Sequence, residues 1–221
     1  LTRTLGNRPD WYDNHIYRIL NMYYRTRNYA CVTILSLGNE AGNGYNFYRA
    51  YELLKSLEKD GMNRPVCYER AEYEWNTDMI VPQYPSAAWF KWMGENRPGR
   101  PVCPSEYCHS MGNSTGSIDL QWEHIYKYPH LQGGFIWDFV DQALRWPVYG
   151  SGTDHVFVFG GDFNDYDPSD NSFCCNGIIA ADRTFHPHAY EVAYQYRSIL
   201  TTASREQALA GKVDVYNENF F

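Results

Sequence analysis

Apolar residues recur along this chain in two alternating rhythms. After Pro9-Asp10, the residues Ile16, Ile19, Leu20 and Tyr23 fall at helical spacing and predict a helix that ends near Arg27-Asn28. The run 32–37 then reads as a buried strand, Gly42-Asn43-Gly44 as a turn, and Phe47, Ala50, Leu54 and Leu57 as one face of a second helix. Residues 61–65 close that helix, and strands follow over 66–69 and 78–84. A short helix over 87–93, a strand over 100–106, a helix over 118–127 with Ile118, Trp122 and Ile125 aligned, and a strand over 131–140 complete the series. Strands alternating with helical patterns at this interval mean parallel β/α units, in a barrel or an open doubly wound sheet. About five strands are visible, where a complete barrel has eight, so the chain reads as half of one.

The rhythm loosens after Gln142. Residues 146–187 are rich in Gly, Asp and aromatics and too long for a simple connection, which marks a structured, functional loop region. In the tail, residues 211–217 alternate apolar and polar, the pattern of a half-buried antiparallel strand opening a further β-domain.

Composition narrows the function classes. With 20% charged residues and no apolar run near the ~20 residues of a membrane span, a transmembrane chain is excluded. A net charge of −7 argues against non-specific nucleic-acid binding, which needs a basic surface to release phosphate counterions. Aromatics reach 17%, with 20 Tyr and 7 Trp, which suits stacking on the apolar faces of sugars, although an aromatic-rich core accounts for most of them. Cys31, Cys67 and Cys103 lie in or beside predicted strands and are expected to be small buried hydrophobes. Cys103 and Cys108 lack the spacing of a zinc knuckle, so the six cysteines, Cys174 and Cys175 included, are read as structural thiols rather than a metal or disulfide frame. The chain opens Leu1-Thr2-Arg3 with no initiator Met or apolar signal core and reads as a piece of something longer. Its start names no compartment; the cytoplasm is favoured over the periplasm.

Chemistry enters with two glutamates at strand ends. The run 31–37 leads into Gly38-Asn39-Glu40, and 100–105 leads into Glu106-Tyr107-Cys108-His109. In a parallel barrel the carboxyl ends of the strands converge on one face, so both carboxylates would meet in one pocket. A retaining glycosidase is built that way: one carboxylic acid protonates the leaving oxygen while a carboxylate about 5 Å away attacks the anomeric carbon. Glu40 must then hold its proton near neutral pH and Glu106 must be ionised, so their environments must differ. Each residue alone has a blander reading: a solvated loop end for Glu40, a packed aromatic for Tyr84, a hydrogen-bonded histidine for His109, a core filler for Trp137. Gly42-Asn43-Gly44 lacks the third glycine and the Lys-Ser/Thr of a phosphate loop and is a turn.

Three longer motifs, Ser36-Leu37-Gly38-Asn39-Glu40, the run Ser105-Glu106-Tyr107-Cys108-His109-Ser110-Met111-Gly112-Asn113-Ser114, and Leu131-Gln132-Gly133-Gly134-Phe135-Ile136-Trp137-Asp138, together resemble glycoside hydrolase family 2, specifically its large β-galactosidases. The resemblance continues through Gly160-Gly161-Asp162-Phe163, Phe173-Cys174-Cys175-Asn176-Gly177 and residues 181–187, and so covers nearly the whole chain. It implies an α/β fold, the second half of a (β/α)8 TIM barrel, followed by the start of an antiparallel β-sandwich. Residues 1–190 would be the partial catalytic barrel, strands four to eight with long active-site loops, and 191–221 a linker and first sandwich strand.

By the same resemblance Glu40 is the general acid/base and Glu106 the nucleophile, and Tyr84 touches the nucleophile and assists its departure. The preceding Gln83 departs from a family member with methionine at that place. Asn39 would bind the sugar 2-hydroxyl, His109 another galactose hydroxyl, and Trp137 the apolar face of the ring. A magnesium ion (Mg2+) would contact Glu40, its other ligands lying upstream of Leu1. A sodium ion (Na+) would take the Phe173 carbonyl and the Asn176 side-chain oxygen plus a carboxylate from an absent domain, with Asp170 supporting the loop. The implied activity is retaining hydrolysis of terminal β-D-galactose from β-galactosides, lactose-like ones included. β-Glucuronides and β-mannosides are the alternative sugars, since their hydrolases share the Asn-Glu signature; the run from Glu106 to Ser114 favours galactosides. Implied partners are the rest of the parent enzyme and its homo-oligomer. Half a barrel exposes unpaired strand edges, so a fragment or subunit that is inactive without those partners is the reading from another class. A binding module without chemistry would explain the aromatics but not the paired glutamates.

Overall fold

A computed structural model of the protein describes residues 4–148 and 155–219. Residues 149–154 of the anticipated loop region, the opening Leu1-Thr2-Arg3, and Phe220-Phe221 lie outside the described residues. The chain divides into two compact units, one formed by Leu1–His109 with Leu120–Trp137 and the other by Ser110–Asp119 with Asp138–Phe221.

The first unit begins with α1 (Tyr12–Thr26), entered through a single helical turn whose first residue, Pro9, has its φ already set for a helix. The apolar stripe of α1 buries Ile19 and Tyr23 against Phe47, Ala50 and Leu54 of α2 (Tyr45–Glu58). Between these helices lies β1 (Leu35–Ser36), paired in parallel with β2 (Val66–Cys67) in the register Leu35 to Val66 and Ser36 to Cys67. The ladder continues in chain order. Asp78 N–H donates to the Val66 carbonyl at 2.8 Å. Beyond it Ile80 pairs with Val102, Gln83 with Glu106, Val102 with Leu131 and Tyr107 with Ile136, all in parallel. Five neighbouring parallel segments result, with α3 (Ala87–Asn96) between the third and fourth and α4 (Ile118–Lys127) between the fourth and fifth. Among the described residues the sheet does not close into a barrel.

The regular strands are shorter than the apolar runs predicted: two residues each at β1 and β2, and single paired residues beyond. Proline is the cause, because it accepts across a sheet but has no N–H to give back. The carbonyls of Pro65, Pro82, Pro101 and Pro104 accept from Leu35, Ser105, Ile80 and Phe135 at 2.9–3.1 Å, while the return bonds are missing. What holds the unit is packing: Leu54, Val66, Phe90, Met93 and Val102 are wholly buried. Each such side chain contributes about 1.5–3 kcal/mol relative to exposure. At the end of α2, Glu58 and Arg64 form a buried ion pair at 2.6 Å.

The second unit is built from short pieces. β3 (Leu144–Pro147) and β4 (His155–Val158) form an antiparallel pair, Val140 pairs with Ile179, and α5 (Pro187–Gln195) buries Ala189 and Val192. Asp141 ties two segments together: its Oδ1 accepts from Gly177 N–H at 2.8 Å and its Oδ2 meets His186 Nε2 at 2.7 Å. β5 (Ile199–Thr202) pairs antiparallel with β6 (Asp214–Asn217), and α6 (Arg205–Leu209) connects them. The predicted tail strand is therefore antiparallel, but all four of its residues are exposed rather than half-buried. It is the second strand of a two-stranded ribbon with β5, and no sandwich start is confirmed.

None of the six cysteines is in a disulfide. Burial pushes the Cys67 and Cys103 thiols up to about 11 and Cys108 up to about 12, as inert structural thiols require. Cys31 is a correction: pairing starts only at Leu35, so Cys31 sits exposed in the preceding turn. Among the described residues no helix is long and apolar enough to cross a membrane.

Candidate active site

Glu106 stands at the carboxyl end of the fourth parallel segment, and the register places residues 83 and 84 beside it. Tyr84 N–H donates to the Glu106 carbonyl at 2.8 Å, completing the bridge begun by Gln83. In a regular strand two consecutive side chains point to opposite faces. Here Tyr84 takes a left-handed backbone, φ 50°, and both side chains reach the same carboxylate. Tyr84 Oη donates to Glu106 Oε2 at 2.6 Å, and Gln83 Nε2 donates to Glu106 Oε1 at 3.1 Å. The second Gln83 amide proton goes to Asn39 Oδ1 at 3.0 Å, which links the end of β1 to the nucleophile candidate. The His109 ring meets Tyr84 edge-on, with centroids 5.7 Å apart.

Glu40 also has a left-handed backbone, φ 52°, a strained conformation for a residue with a side chain. Its N–H is held by the Glu69 carboxylate. Arg70 joins both acids, with Nε 3.3 Å from Glu69 Oε2 and a terminal nitrogen 3.9 Å from Glu40 Oε1. The two glutamates differ in setting: the Glu69 side chain is 4% exposed and that of Glu40 52%. Burial pushes the Glu69 carboxyl up and the charges of Glu40 and Glu106 act in the same direction, opposed by the Glu40 N–H and Arg70. A cavity of about 300 Å³ opens here, lined by Glu69, Arg70, Gln83 and Trp89 among others. A larger one of about 650 Å³ lies by Arg100, Pro101 and His130, at the opposite ends of the strands, and touches none of the candidate residues. The carboxylates, rather than cavity size, locate the site.

Asn39, Glu40, Tyr84, Glu106 and His109 thus share one neighbourhood. Trp137 lies on the adjoining segment, its N–H donating to the Tyr107 carbonyl at 3.1 Å and its side chain partly exposed. Phe173 and Asn176 belong to the second unit, where Asn176 Nδ2 donates to the Phe173 carbonyl at 2.7 Å. Asn176 is buried, and its Oδ1 has no hydrogen-bond partner among the described residues. Sequence reading missed Glu69 and Arg70 and noted Gln83 only as a departure. Glu69 carries the signal that found Glu40 and Glu106, an acid closing a predicted strand.

Parallel segments whose carboxyl ends gather acids, an amide and aromatics define a β/α domain of the glycosidase type. Residues 1–201 match glycosyl hydrolases family 2, TIM barrel domain, and the chain belongs to that family. The beta-galactosidase of Vibrio vulnificus (strain YJ016) is 37% identical over 231 residues, covering 98% of this chain and 22% of the relative. That of Alteromonas mediterranea is 39% identical over 203 residues, covering 86% and 19%. The chain spans about a fifth of the length of these curated relatives. Among solved structures, the Ruminococcus gnavus beta-glucuronidase matches with TM-score 0.57 at 13% identity over 86% of this chain and 36% of that one. The GH2 beta-galacturonidase from Eisenbergiella tayi matches with TM-score 0.56 at 15% identity over 86% and 38%. At such identities the structures speak for the fold alone.

Proposed function

We propose that the protein takes part in retaining hydrolysis of terminal non-reducing β-D-galactose from β-galactosides. The observation that carries this reading is the Glu106 carboxylate, gripped on one oxygen by Tyr84 and on the other by Gln83, with Asn39 tied to the same amide. A nucleophile must be aimed before it attacks, and hydrogen bonds to both oxygens fix its rotation. Glu40 gives its proton to the glycosidic oxygen as a Glu106 oxygen bonds to the anomeric carbon and the bond to the leaving group breaks. Water then attacks the same carbon, its proton passes to the Glu40 carboxylate, and the ester to Glu106 opens. Asn39 binds the 2-hydroxyl, an interaction that strengthens in the transition state. His109 takes a further hydroxyl, and Trp137 supplies the flat floor for the ring. The galactose assignment rests on the relatives' names and on the run from Glu106 to Ser114. Arg70 is engaged by Glu69 rather than left for a uronate carboxylate, which favours a neutral sugar.

The sodium donors fit their ion. The Phe173 carbonyl and the buried Asn176 side-chain oxygen, which has no hydrogen-bond partner among the described residues, would hold it as the oxygen donors a hard cation takes. Bound there, sodium would supply a fixed positive charge to the loop. Magnesium is different. Among the described residues no cluster of three or more His, Cys, Asp or Glu side chains is placed to hold a metal, and Glu40 has Arg70 for a neighbour. The described residues by themselves do not compose a magnesium site, and no step above is routed through one. The remaining domains of the parent enzyme and its self-association belong to the same proposal.

A panel of p-nitrophenyl β-galactoside, β-glucuronide and β-mannoside tests the sugar. Turnover of the galactoside at least about 100-fold above the others is expected; faster turnover of the glucuronide would overturn the assignment.

A further inference from the structure

The Gln83 side chain touches both a candidate catalytic carboxylate and a candidate substrate-binding amide. Its Nε2 has two protons, and both are spent: one on Glu106 Oε1 at 3.1 Å, the other on Asn39 Oδ1 at 3.0 Å. The amide is placed by the sheet rather than by a loop, because its backbone pairs with that of Glu106 across neighbouring parallel segments. It is also half-buried, so water competes for it less than for an exposed amide.

We propose that Gln83 is a positioning residue that sets Asn39 and Glu106 in register for the sugar 2-hydroxyl. The assignment rests on the roles given above to those two residues. An asparagine amide has an accepting and a donating end, and nothing in its shape chooses between the two orientations. Gln83 makes that choice, since an N–H donor can be met only by Oδ1. Asn39 then keeps Nδ2 to offer elsewhere, and its contact with the 2-hydroxyl becomes a donated bond of fixed direction. On the other side, Gln83 holds Oε1 of the nucleophile while Tyr84 holds Oε2 at 2.6 Å. The carboxylate is thereby locked in rotation relative to Asn39, and the anomeric carbon and the 2-hydroxyl of one sugar are addressed by one rigid set. The donor is neutral, so it orients Glu106 without placing a competing cation against the nucleophile.

The prediction separates orientation from bulk packing. Gln83→Met keeps length and approximate volume and removes both donors. It should lower kcat/KM for p-nitrophenyl β-galactoside by about 10-fold or more, chiefly in kcat, and should lower that for the 2-deoxy analogue far less. The preference for a 2-hydroxyl should therefore shrink about 10-fold, and Gln83→Met should cost little when added to Asn39→Ala. Equal losses on both substrates, additive losses with Asn39→Ala, or no loss at all would overturn the proposal. If Gln83→Met does not fold, Gln83→Ala carries the same prediction. A wild-type protein that cleaves another β-glycoside would sink the galactoside reading alone, and Gln83 would then be judged by the same ratio on that sugar and its 2-deoxy form.

Discussion

The two units hold their candidate chemistry in different ways. In the first, neighbouring parallel segments set Gln83, Tyr84 and Glu106 side by side through backbone register, and five candidate residues meet with two unforeseen ones, Glu69 and Arg70. In the second, Phe173, in a short 3₁₀ turn, and Asn176 meet through a side-chain bond, and Asn176 Oδ1 has no partner among the described residues. Both units carry buried apolar side chains, Leu54, Phe90, Met93 and Val102 in the first and Ile118, Ile179, Ala189 and Val192 in the second. A sheet delivers side chains by register and backs them with apolar burial, while a loop must capture each one by a polar contact. The first unit is thus suited to aiming reacting groups.

That contrast can be broken in three places. The largest effect belongs to Glu106→Gln, which should lower kcat by about 10⁴-fold or more while the far-ultraviolet circular dichroism stays as in the wild type. Retention of a tenth of the activity would place the nucleophile elsewhere. The next is Glu58→Gln, which leaves Arg64 buried without its counter-ion and should cost about 3–5 kcal/mol in urea unfolding. Hydrogen bonds from Arg64 hold the Glu58 carboxyl below its ordinary value of 4.5, even against its burial. The folded pKa is the lower one, so the contribution is complete above about pH 4.5 and is lost as pH falls through the lowered value. The smallest is in the second unit: at Gly177 a methyl group would run into the Asp141 N–H and lie 2.5 Å from the Ile179 oxygen. Gly177→Ala should cost about 1–3 kcal/mol and should lower the second unit's hydrogen-exchange protection more than the first's.

Much of this was legible in the sequence, for physical reasons that also explain the misses. The helix predicted over 118–127 is α4, because Ile118, Trp122 and Ile125 carry a clean stripe. The strands were over-read because apolar content says nothing about donors, and Pro82, Pro101 and Pro104 cut the ladder to single pairs. α5 went unseen because it begins only where the loop region 146–187 ends, although Pro187 at its first turn and Ala189 and Val192 three apart were there to be read. β3 was hidden by its exposure, since four solvent-facing residues leave no alternation to detect. At the site, Glu40 and Glu106 were legible as strand-end residues within motifs, and Tyr84 as the end of the strand over 78–84. Gln83 was not, because its role depends on a left-handed turn at Tyr84 that brings two consecutive side chains to one carboxylate.

The most direct test of the central claim is intact-mass spectrometry of the protein after incubation with a 2-deoxy-2-fluoro-β-galactosyl donor bearing a good leaving group. The account predicts a stable 2-deoxy-2-fluorogalactosyl adduct that peptide mapping places on Glu106. An adduct on another residue, or none, would contradict it.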